Sequence, residues 1–433
     1  MSKIIINCLD YIGEQMAGPA IRVWEFANIL SKNHEVVILS ANKPELAGNS
    51  FKIFKYTTKK LKTELKTADF LITQKVTLKT AIFAKKNNVK IILDAYDPIT
   101  VEALEQKRND KTEDRNGVNK ILLLEQGLSF YFADSVICAS EKQRDFWLGV
   151  MSSLNRLTPE EYDRDMSLRK LIDIVPFGLT KKPPKKNQTN ILEKKFGINK
   201  SDFILIWGGG IWNWFDPLTL IKAVKEASDS VPVKLVFMGL DHPNENIPRM
   251  QMASEAVELS KSLGLYNKNV FFNHGWVNYK ERANYLLSAD AGVSTHFDHL
   301  ETRFSFRTRI LDYMWAELPI IATKGDSFSS IIEENSLGIV VDYTDVASVK
   351  QAITSLYKEK KNYQTYKENI STLKKQYYWE NCIKPLESMI DYWKDKKSTI
   401  KISPKLFILL LVSLYASNTT IIKKATKKII RLS

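Results

Sequence analysis

The sequence has few cysteines, few histidines and no long apolar run, and these features argue against a disulfide framework, a metal site and a membrane-spanning helix. Its three cysteines, Cys8, Cys138 and Cys382, are far apart and form no CxxC pair, so neither a disulfide framework nor a thiolate zinc site is expected. The N-terminus has no basic leader followed by an apolar stretch, and we therefore expect no secretory signal and a cytoplasmic protein. The apolar run Leu406–Ala416 is shorter than the roughly 20 residues that cross a bilayer.

Positive charge is concentrated at the C-terminal end of the chain. The net charge is +14, and the basic residues after Asp395 contribute +9, so the remainder carries only 14 − 9 = +5. A nucleic-acid-binding protein would carry its basic patch on the folded body, so we expect no nucleic-acid partner. Basic residues on both sides of Leu406–Ala416 favour peripheral attachment of 396–433, as an amphipathic tail, to an anionic membrane surface. A final helix packed on the body, with its lysines extended into solvent, is the alternative.

Short β-branched runs alternate with helical patterns throughout the body of the chain, which predicts right-handed βαβ crossovers and parallel sheets. The predicted strands are Lys3–Cys8, Glu35–Ser40, Phe51–Tyr56, Asp69–Gln74, Lys90–Asp94, Ser135–Ser140, Asp173–Pro176, Phe203–Trp207, Val233–Gly239, Val270–Asn273, Ala291–Thr295, Pro319–Thr323 and Gly338–Asp342. The charged, proline-containing stretch Lys181–Gln188 interrupts this pattern. We therefore expect an α/β protein with two Rossmann-like domains, 1–180 and 181–376, that face each other across a cleft.

Ligands bind open α/β sheets at the carboxyl ends of the strands, so the segments after the strands are the candidate sites. Gly18 to Arg22 lies between the first strand and the first helix, where it is either a ligand loop or a simple tight turn. Gly208, Gly209 and Gly210 follow the strand Phe203–Trp207 and are typical of a loop that binds an anion through backbone N–H groups. This spacing is neither GxGxxG nor GxxxxGK[ST], so it indicates neither a dinucleotide nor a Walker site.

Aromatic residues accompany two of these segments. Trp212 and Asn213 follow the glycines, and aromatic side chains beside such a loop tend to stack on a ligand; a flexible corner is the alternative. Trp276 and Val277 follow a later strand and are suited to contact a nucleotide base, unless they only pack at the strand end.

The strongest motif begins at Ser305, which we predict as the N-cap of a helix whose N-terminus binds a diphosphate with the help of Phe306 N–H, Arg307 and Arg309. Asp312, two turns further along, is positioned to accept hydrogen bonds from a ribose diol. A surface helix with internal salt bridges is the alternative.

His296 and His299 flank Asp298, but the three lack a metal-ligand spacing, and we expect no metal.

At these motifs the chain resembles the retaining GT-B glycosyltransferases of family 4, over residues 1–395. Gly18-Pro19 resembles the family's opening glycine loop, and Val175–Leu179 resembles its link into the second domain. Gly275–Val277 resembles its base-contacting turn, Ser305–Ile321 its donor helix, and Tyr377–Trp393 the C-terminal helix that crosses back to the first domain, giving a crossover element at 377–395.

The sequence departs from the family pattern at its charged positions. Of the family's two glutamates eight residues apart, Asp312 replaces the second and Phe304 occupies the first position. The family's Arg and Lys after the glycine loop are replaced by Trp212, Asn213 and Asp216. Other residues must then neutralise the charge of a diphosphate.

Arg303, Arg307 or Arg309 are the candidates for that role, and Asp97 stands near the place of a family histidine. The resemblance implies a hexosyltransferase that uses a nucleoside-diphosphate sugar, no cofactor and no metal. The first domain would bind a glycan or lipid-linked acceptor, bordered by Gly18 and Arg22, and the second the donor.

In the mechanism that the resemblance implies, the leaving diphosphate takes the acceptor's proton on the same face of the sugar. Asp97 and Arg307 would be the catalytic residues: Asp97 would orient the acceptor or the sugar, and Arg307 would stabilise the leaving group. A sugar-nucleotide epimerase or phosphorylase and a non-catalytic nucleotide-sugar-binding scaffold remain as alternative functions.

Overall fold

The computed structural model describes residues 1–48, 50–188, 191–241 and 249–398. The tail at 396–433 therefore lies almost wholly outside the described residues, and its membrane attachment stays a prediction. Within those four ranges, no helix is both long enough and apolar enough to cross a membrane.

In the described part of the chain, the strands form two sheets in which every neighbouring pair is parallel. The first sheet consists of β1 (Lys3–Asn7), β2 (Glu35–Ser40), β3 (Lys52–Lys55), β4 (Phe70–Thr73), β5 (Lys90–Asp94), β6 (Ser135–Cys138) and β7 (Ile172–Ile174). The second consists of β8 (Phe203–Trp207), β9 (Val233–Phe237), β10 (Val270–Phe272), β11 (Ala291–Ser294), β12 (Ile320–Thr323) and β13 (Gly338–Val341).

The strand orders are β3-β2-β1-β4-β5-β6-β7 and β10-β9-β8-β11-β12-β13. Each sheet therefore grows outward in both directions from its first strand. The direction of winding reverses between β1 and β4 and between β8 and β11. Such reversal points open a crevice at the carboxyl ends of the strands, which is the usual ligand site of doubly wound sheets.

All the strands predicted from the sequence are present, with ends that differ by about two residues at most. Central strands such as Phe203–Trp207 are buried along their whole length, which explains why continuous apolar runs predicted them. The end of β6 moves from Ser140 to Cys138, because the Ser140 hydroxyl instead accepts a hydrogen bond (3.3 Å) from the Gln143 N–H and caps the next helix.

The helices connect the strands. The first nine are α1 (Gly18–Leu30), α2 (Thr58–Leu65), α3 (Leu78–Lys86), α4 (Ile99–Gln106), α5 (Thr112–Phe132), α6 (Glu141–Ser153), α7 (Pro159–Arg164), α8 (Ile191–Phe196) and α9 (Pro217–Ala227). The others are α10 (Gln251–Ser262), α11 (Arg282–Leu286), α12 (Leu300–Phe304), α13 (Thr308–Trp315), α14 (Ser329–Glu334), α15 (Val346–Lys358), α16 (Lys360–Leu373), α17 (Trp379–Cys382) and α18 (Lys384–Trp393), among the described residues.

The chain forms two compact units. Among the described residues, unit 1 contains Met1–Leu9, Phe26–Ile174 and the segment 385–398, and unit 2 contains Asp10–Glu25 and Val175–Lys384. The first turns of α1 thus group with unit 2, although the sequence predicted a first domain at 1–180. The Tyr279 N–H, which donates to the Glu14 carbonyl (3.0 Å), is one of the bonds that hold this segment there.

The C-terminal helix α18 packs on unit 1. The Trp393 indole N–H donates to the Ser135 hydroxyl (2.7 Å), and the Lys90 ammonium donates to the Lys394 carbonyl (3.3 Å). Trp393 and Leu386 are both buried, so this helix contributes to the packing of the unit that the N-terminus of the chain begins.

Candidate functional site

The glycine loop that follows β8 is held against α13. The Gly208 N–H donates to the Tyr313 hydroxyl (2.9 Å), and the Gly210 carbonyl accepts from Nη2 of Arg309 (2.9 Å). Between them, Gly209 has a φ of +74°, and a Cβ there would have no atom within 4 Å. The outer glycines are therefore fixed, whereas the backbone at Gly209 borders open space where a ligand can approach it.

Tyr313 is the residue that locks this arrangement. Its hydroxyl accepts from Gly208 and donates to the Val293 carbonyl (2.7 Å), so both of its hydrogen-bonding roles are used. A Cβ on Gly292 would lie 2.2 Å from the Tyr313 ring, so the ring fits only because β11 carries a glycine at this position. Burial raises the pKa of Tyr313 to about 12, which keeps the hydroxyl protonated and able to donate.

Arg309 lies one helical turn before Tyr313 on the same face of α13. Its guanidinium stacks over the rings of Trp207 (4.3 Å) and Phe215 (4.0 Å), and Nη1 is buried without a hydrogen-bond partner. No carboxylate of the described residues forms an ion pair with it. Burial is the main cause that lowers the pKa of Arg309 to about 9. An uncompensated buried cation beside a glycine loop is an arrangement that an anionic ligand would stabilise.

Arg307, in contrast, already has a carboxylate partner. Nη1 and Nη2 donate to the two oxygens of Glu301, each at 2.7 Å, in a bidentate pair that is almost fully buried. Its remaining donor, Nε, is buried without a partner, and the guanidinium lies 4.7 Å from the Phe215 ring. Arg307 and Arg309 therefore flank the same ring, but Arg309 is the one whose charge is not balanced.

The prediction that Ser305 caps the donor helix is wrong. The segment forms two short helices, α12 and α13, and Ser305 is the C-cap of the first. Its hydroxyl donates back to the Thr302 carbonyl (2.9 Å), so it is not directed to the N-terminus of α13. Arg307 occupies that N-cap position without a side-chain cap bond, which leaves the first N–H groups of α13 without a capping side chain.

Phe306 lies in the extended link between these helices. It packs on the Phe328 ring (4.7 Å between centroids) and stacks more loosely on Phe177 (6.5 Å). These contacts fix the direction in which the chain enters α13.

Asp312 lies on a different side of α13 from Arg309 and Tyr313. Oδ1 accepts from Nε of Arg282 (3.1 Å), and its side chain is 40% exposed. Arg282 is held between the Tyr279 ring (3.8 Å) and the Trp315 ring (4.4 Å), and it also donates to the Tyr279 carbonyl (2.8 Å). The Asp312 carboxylate is thus oriented by a rigid partner while part of it remains accessible.

The aromatic residues near the loop contact one another. Trp212 and Trp214 stack in parallel (5.3 Å, 1°), so Trp214 covers one face of the Trp212 ring, and stacking of Trp212 on a ligand stays a prediction. The Asn213 side-chain oxygen accepts from the Met252 N–H (3.2 Å) at the start of α10. Trp276 is half-buried, and its ring would lie 3.2 Å from a Cβ on Gly210, so it packs directly on the glycine loop.

Val277 is half-buried in the same turn, beside Trp276. Contact of Trp276 and Val277 with a nucleotide base stays a prediction.

The two residues predicted on the acceptor side have different environments. Gly18 begins α1 and is half-buried beside Phe177. Arg22 is fully buried; its Nη2 donates to the Val175 carbonyl (2.8 Å) and Nη1 to the Pro176 carbonyl (3.2 Å). The role predicted for Arg22 is therefore corrected: it anchors α1 to the link segment, and its side chain is not accessible to an acceptor.

Asp97 lies in unit 1, directly after β5, at a cavity of about 200 Å³. The cavity opens at the carboxyl ends of β1, β4 and β5. It is lined by Leu9, Gln74, Lys75, Leu93, Asp94, Ala95, Tyr96, Asp97, Ile99, Leu122, Glu125, Gln126, Ser129, Phe130 and Trp147. This is the crevice side of the first sheet, where the strand order reverses.

The two histidines of the loop after β11, His296 and His299, contact different residues. His296 is buried, with Nε2 3.5 Å from Oδ2 of Asp326, and burial is the main cause that lowers its pKa. Nδ1 of His299 accepts from the Thr302 N–H (3.2 Å) and caps α12, so its hydrogen is on Nε2, which faces the Trp214 carbonyl (3.1 Å). In the described ranges, no three His, Cys, Asp or Glu side chains are grouped as metal ligands would be.

Tyr313, Glu301 and Arg282 are the site residues that the sequence reasoning missed. Tyr313 follows Arg309 by four residues, and this helical spacing could have placed it on the same face. Glu301 and Arg282 carried no comparable sequence signal. Their contacts with Arg307 and Asp312 depend on the break between α12 and α13 and on the fold.

Comparison with known proteins indicates the class. Residues 202–359 match the model of the family described as "Glycosyl transferases group 1". The matched segment lies within unit 2 and contains the glycine loop, Trp276 and α13. No curated protein sequence matches the chain significantly.

Several solved structures share the fold of this chain. HepE from Anabaena in complex with UDP-glucose has a TM-score of 0.63 at 13% identity, covering 90% of this chain and 99% of that chain. WaaG, a glycosyltransferase involved in lipopolysaccharide biosynthesis, has a TM-score of 0.60 at 15% identity, covering 90% and 99%. Sucrose-phosphate synthase from Thermosynechococcus elongatus has a TM-score of 0.61 at 13% identity, covering 90% and 98%.

At these identities the likenesses establish the fold, which is GT-B with two Rossmann-like domains, as predicted. The family match over residues 202–359 adds support for glycosyl transfer as the activity class. The family-4 subfamily and retention of configuration stay predictions.

Proposed function

We propose that the protein is a hexosyltransferase that moves a sugar from a nucleoside-diphosphate sugar to a glycan or lipid-linked acceptor in cell-surface polysaccharide synthesis. The observation that carries this proposal is Arg309, a buried cation without a carboxylate partner, hydrogen-bonded to the glycine loop that follows β8. The family match over the same segment and the UDP-glucose bound by HepE support a nucleotide-sugar donor.

The leaving diphosphate needs positive charge and backbone donors when the glycosidic bond breaks. Arg309 would supply the charge through its unpartnered Nη1, and Gly209 would bring backbone to the phosphate from the open side of the loop. Arg307 would contribute through Nε while Glu301 keeps its guanidinium in place. Because these cations are built into the protein, we propose that transfer requires neither a metal nor a cofactor.

Two other groups would orient the donor. The partly exposed carboxylate of Asp312, fixed by Arg282, would accept hydrogen bonds from the ribose diol. Trp276, which packs on the loop at Gly210, would offer an aromatic face to the base.

On the acceptor, we propose that Asp97 orients the reacting hydroxyl. The anomeric C–O bond to the diphosphate breaks, the diphosphate oxygen takes the hydroxyl proton, and the new C–O bond forms on the same face, which gives retention. The proposal also places the protein in the cytoplasm, held on the inner face of the membrane by residues 396–433. It includes no nucleic-acid partner.

The test is the thermal stability of the full chain with UDP, GDP, TDP, CMP or NAD. A ligand at 100 times its dissociation constant adds about 2.7 kcal/mol, and we expect one nucleoside diphosphate to do so. Asp312→Ala should abolish this gain, whereas Asp342→Ala, which removes an exposed ion pair with Lys324 on the same unit, should not.

Release of the nucleoside diphosphate from its sugar, with and without acceptor, then separates transfer from mere binding. Stabilisation without any turnover on any sugar acceptor would favour a nucleotide-sugar-binding scaffold. Stabilisation by NAD alone would contradict the proposal.

A further inference from the structure

Positive charge within the folded body is concentrated in one segment of unit 1. Residues 51–90 contain eleven lysines and no arginine, against two acidic residues, so this segment carries 11 − 2 = +9. The chain up to Asp395 carries +5 in total, and its other residues therefore sum to 5 − 9 = −4. The segment forms β3, α2, β4 and α3, so the charge belongs to one part of the first sheet and the helices that cover it.

The outward side of α2 and α3 displays much of this charge. The two helices pack against each other, and both bury residues, such as Leu65 and Ala84, in the same core over the sheet. Their opposite sides therefore point in a common direction. We call this surface the α2–α3 face; its exposed residues follow helical spacing and are Lys59, Lys62 and the C-cap residue Lys66 of α2, and Lys79, Ile82 and Lys86 of α3.

The two acidic residues of the segment do not neutralise this face. Glu64 is buried and forms ion pairs with Lys3 (2.8 Å) and Lys60 (2.6 Å). Oδ2 of Asp69 accepts a hydrogen bond from the Lys3 N–H (2.8 Å). In the part of the chain that the structure describes, no carboxylate forms an ion pair with Lys59, Lys62, Lys66 or Lys86.

Stabilisation of the helices themselves does not account for these lysines. A cation in the last turn of a helix is favourable, which suits Lys62 and Lys86, but a cation in the first turn is opposed by the helix dipole. Lys59 and Lys79 lie in the first turns of α2 and α3, and neither first turn contains an acidic residue. Charge that the helices do not need for their own stability favours a role in binding an anionic partner.

Ile82 indicates the kind of anionic partner. Its side chain is 44% exposed, about one helical turn from both Lys79 and Lys86. An exposed apolar side chain among lysines is typical of a surface that lies on a bilayer, where the lysines contact headgroups and the apolar group enters the interface. Nucleic-acid surfaces favour arginine for bidentate contacts, and the segment has none. The face therefore suits anionic lipid better than nucleic acid.

The part of the chain predicted to attach to a membrane begins beside the same helices. The Ser398 hydroxyl donates to Oδ1 of Asp134, and the ammonium of Lys85, in the last turn of α3, lies 3.8 Å from that oxygen. Residue 398 is therefore close to the C-terminal turn of α3. The basic and apolar residues of 399–433 follow directly in the chain.

We propose that the α2–α3 face is a second membrane contact, which lies on an anionic lipid bilayer through its five lysines while Ile82 enters the headgroup region. Two contacts on one chain reinforce each other when they reach the same surface, and the position of residue 398 allows this. A tail alone would leave unit 1 free to turn, whereas the face fixes which side of it is next to the bilayer. This inference does not depend on glycosyl transfer.

Binding of the full chain to vesicles tests the proposal, by co-sedimentation with phosphatidylcholine vesicles that do or do not contain phosphatidylglycerol. A lysine near an anionic surface increases affinity about fivefold, so Lys59→Gln, Lys62→Gln and Lys66→Gln together should weaken binding to the anionic vesicles on the order of 100-fold. The weakening should disappear at high salt, where such contacts are screened.

The matched control makes the same change in net charge on unit 2. Its three exposed lysines lie on α9 and α15, and the substitutions are Lys222→Gln, Lys225→Gln and Lys358→Gln. Charges more than about 10 Å from the surface are screened at 0.1 M salt, so this control should change vesicle binding by no more than about twofold.

Ile82→Ser tests the apolar part of the face. It should weaken binding to the anionic vesicles about 10-fold, and the salt dependence should stay unchanged because no charge is removed. Leu104→Ser is its control, since Leu104 is 39% exposed on α4 of the same unit and lies outside the face.

Equal losses in the lysine variant and its control, or equal binding of the wild type to vesicles with and without phosphatidylglycerol, would overturn the proposal. A lysine variant that keeps vesicle binding but loses binding to a single-stranded oligonucleotide would assign the face to nucleic acid instead. Melting without ligand is the folding control, and the three exposed lysines should leave it unchanged. Stabilisation by a nucleoside diphosphate is measured in parallel. If it persists while the lysine variant binds vesicles like the wild type, this inference is refuted and the proposed function stands.

Discussion

Replacing Arg309 by Met tests whether this buried cation is the anion-binding group. Met keeps an unbranched stem over Trp207 and Phe215 but removes the charge. The pKa of about 9 corresponds to a penalty of about 5 kcal/mol on the charged form. A lowered pKa of a base penalises its protonated form, so this cost is fully present at neutral pH and decreases only as the pH rises through the folded pKa. A bound diphosphate relieves part of that cost.

A charge-assisted hydrogen bond contributes about 1.5–3 kcal/mol, so Arg309→Met should weaken binding of the nucleoside diphosphate about 10- to 150-fold. At a concentration 100 times the wild-type dissociation constant, the stabilisation should fall from about 2.7 to about 0.3–1.3 kcal/mol. The wild-type gain corresponds to a rise of about 5–11 °C in Tm for a unit of this size. Differential scanning calorimetry with and without ligand measures both.

Stability without ligand is the internal control. Because the removed charge penalty of about 5 kcal/mol exceeds the about 1.5–3 kcal/mol of the lost bond to the Gly210 carbonyl, the Tm of the unliganded variant should be no lower than that of the wild type. Arg303→Met, at an exposed arginine on α12, should leave ligand binding unchanged. Retained binding in Arg309→Met together with loss in Arg303→Met would refute the reasoning and assign the diphosphate to Arg303.

Glu301→Gln should lower the free energy of unfolding by about 3–5 kcal/mol in urea titrations, because it leaves Arg307 buried without a charged partner. Asp241→Asn, at the exposed bidentate pair with Arg249, should cost less than about 1 kcal/mol, and equal losses in the two variants would contradict this account. Tyr313→Phe should cost about 1–3 kcal/mol, since the Gly208 N–H loses its acceptor; unchanged stability with full donor binding would show that another group replaces the hydroxyl.

The fold could be predicted because its signals are local. Each strand of the two parallel sheets is a short apolar run, as in Phe203–Trp207, and alternation with helices left few topologies. The end of a strand was harder to predict where a polar residue caps the next helix instead of continuing the strand, as Ser140 does for α6. The grouping of Asp10–Glu25 with unit 2 depends on contacts between distant segments, which no local pattern encodes.

The site was predicted less completely, for a related reason. The glycine loop and α13 were found from their sequence motifs, and the structure brings Gly208, Gly210 and Arg309 together. The sequence could not show that Glu301 neutralises Arg307, since a bidentate pair depends on the relative placement of two helices. One continuous helix was expected from Ser305 onward, whereas the extended link before α13 reassigns Ser305 to the helix before it.

Helix α18 has a consequence for how the protein is made. The seven strands of unit 1 have all been synthesised once the chain reaches Ile174. Trp393 and Lys394, which form hydrogen bonds with the Ser135 hydroxyl and the Lys90 ammonium, are synthesised more than 200 residues later. During synthesis, the first sheet therefore exposes the apolar surface that Leu386 and Trp393 later cover. We therefore expect that cutting the chain after Ile174 does not release an autonomous first half, and joining Ile174 to Pro385 through a linker is the better route to studying unit 1 alone.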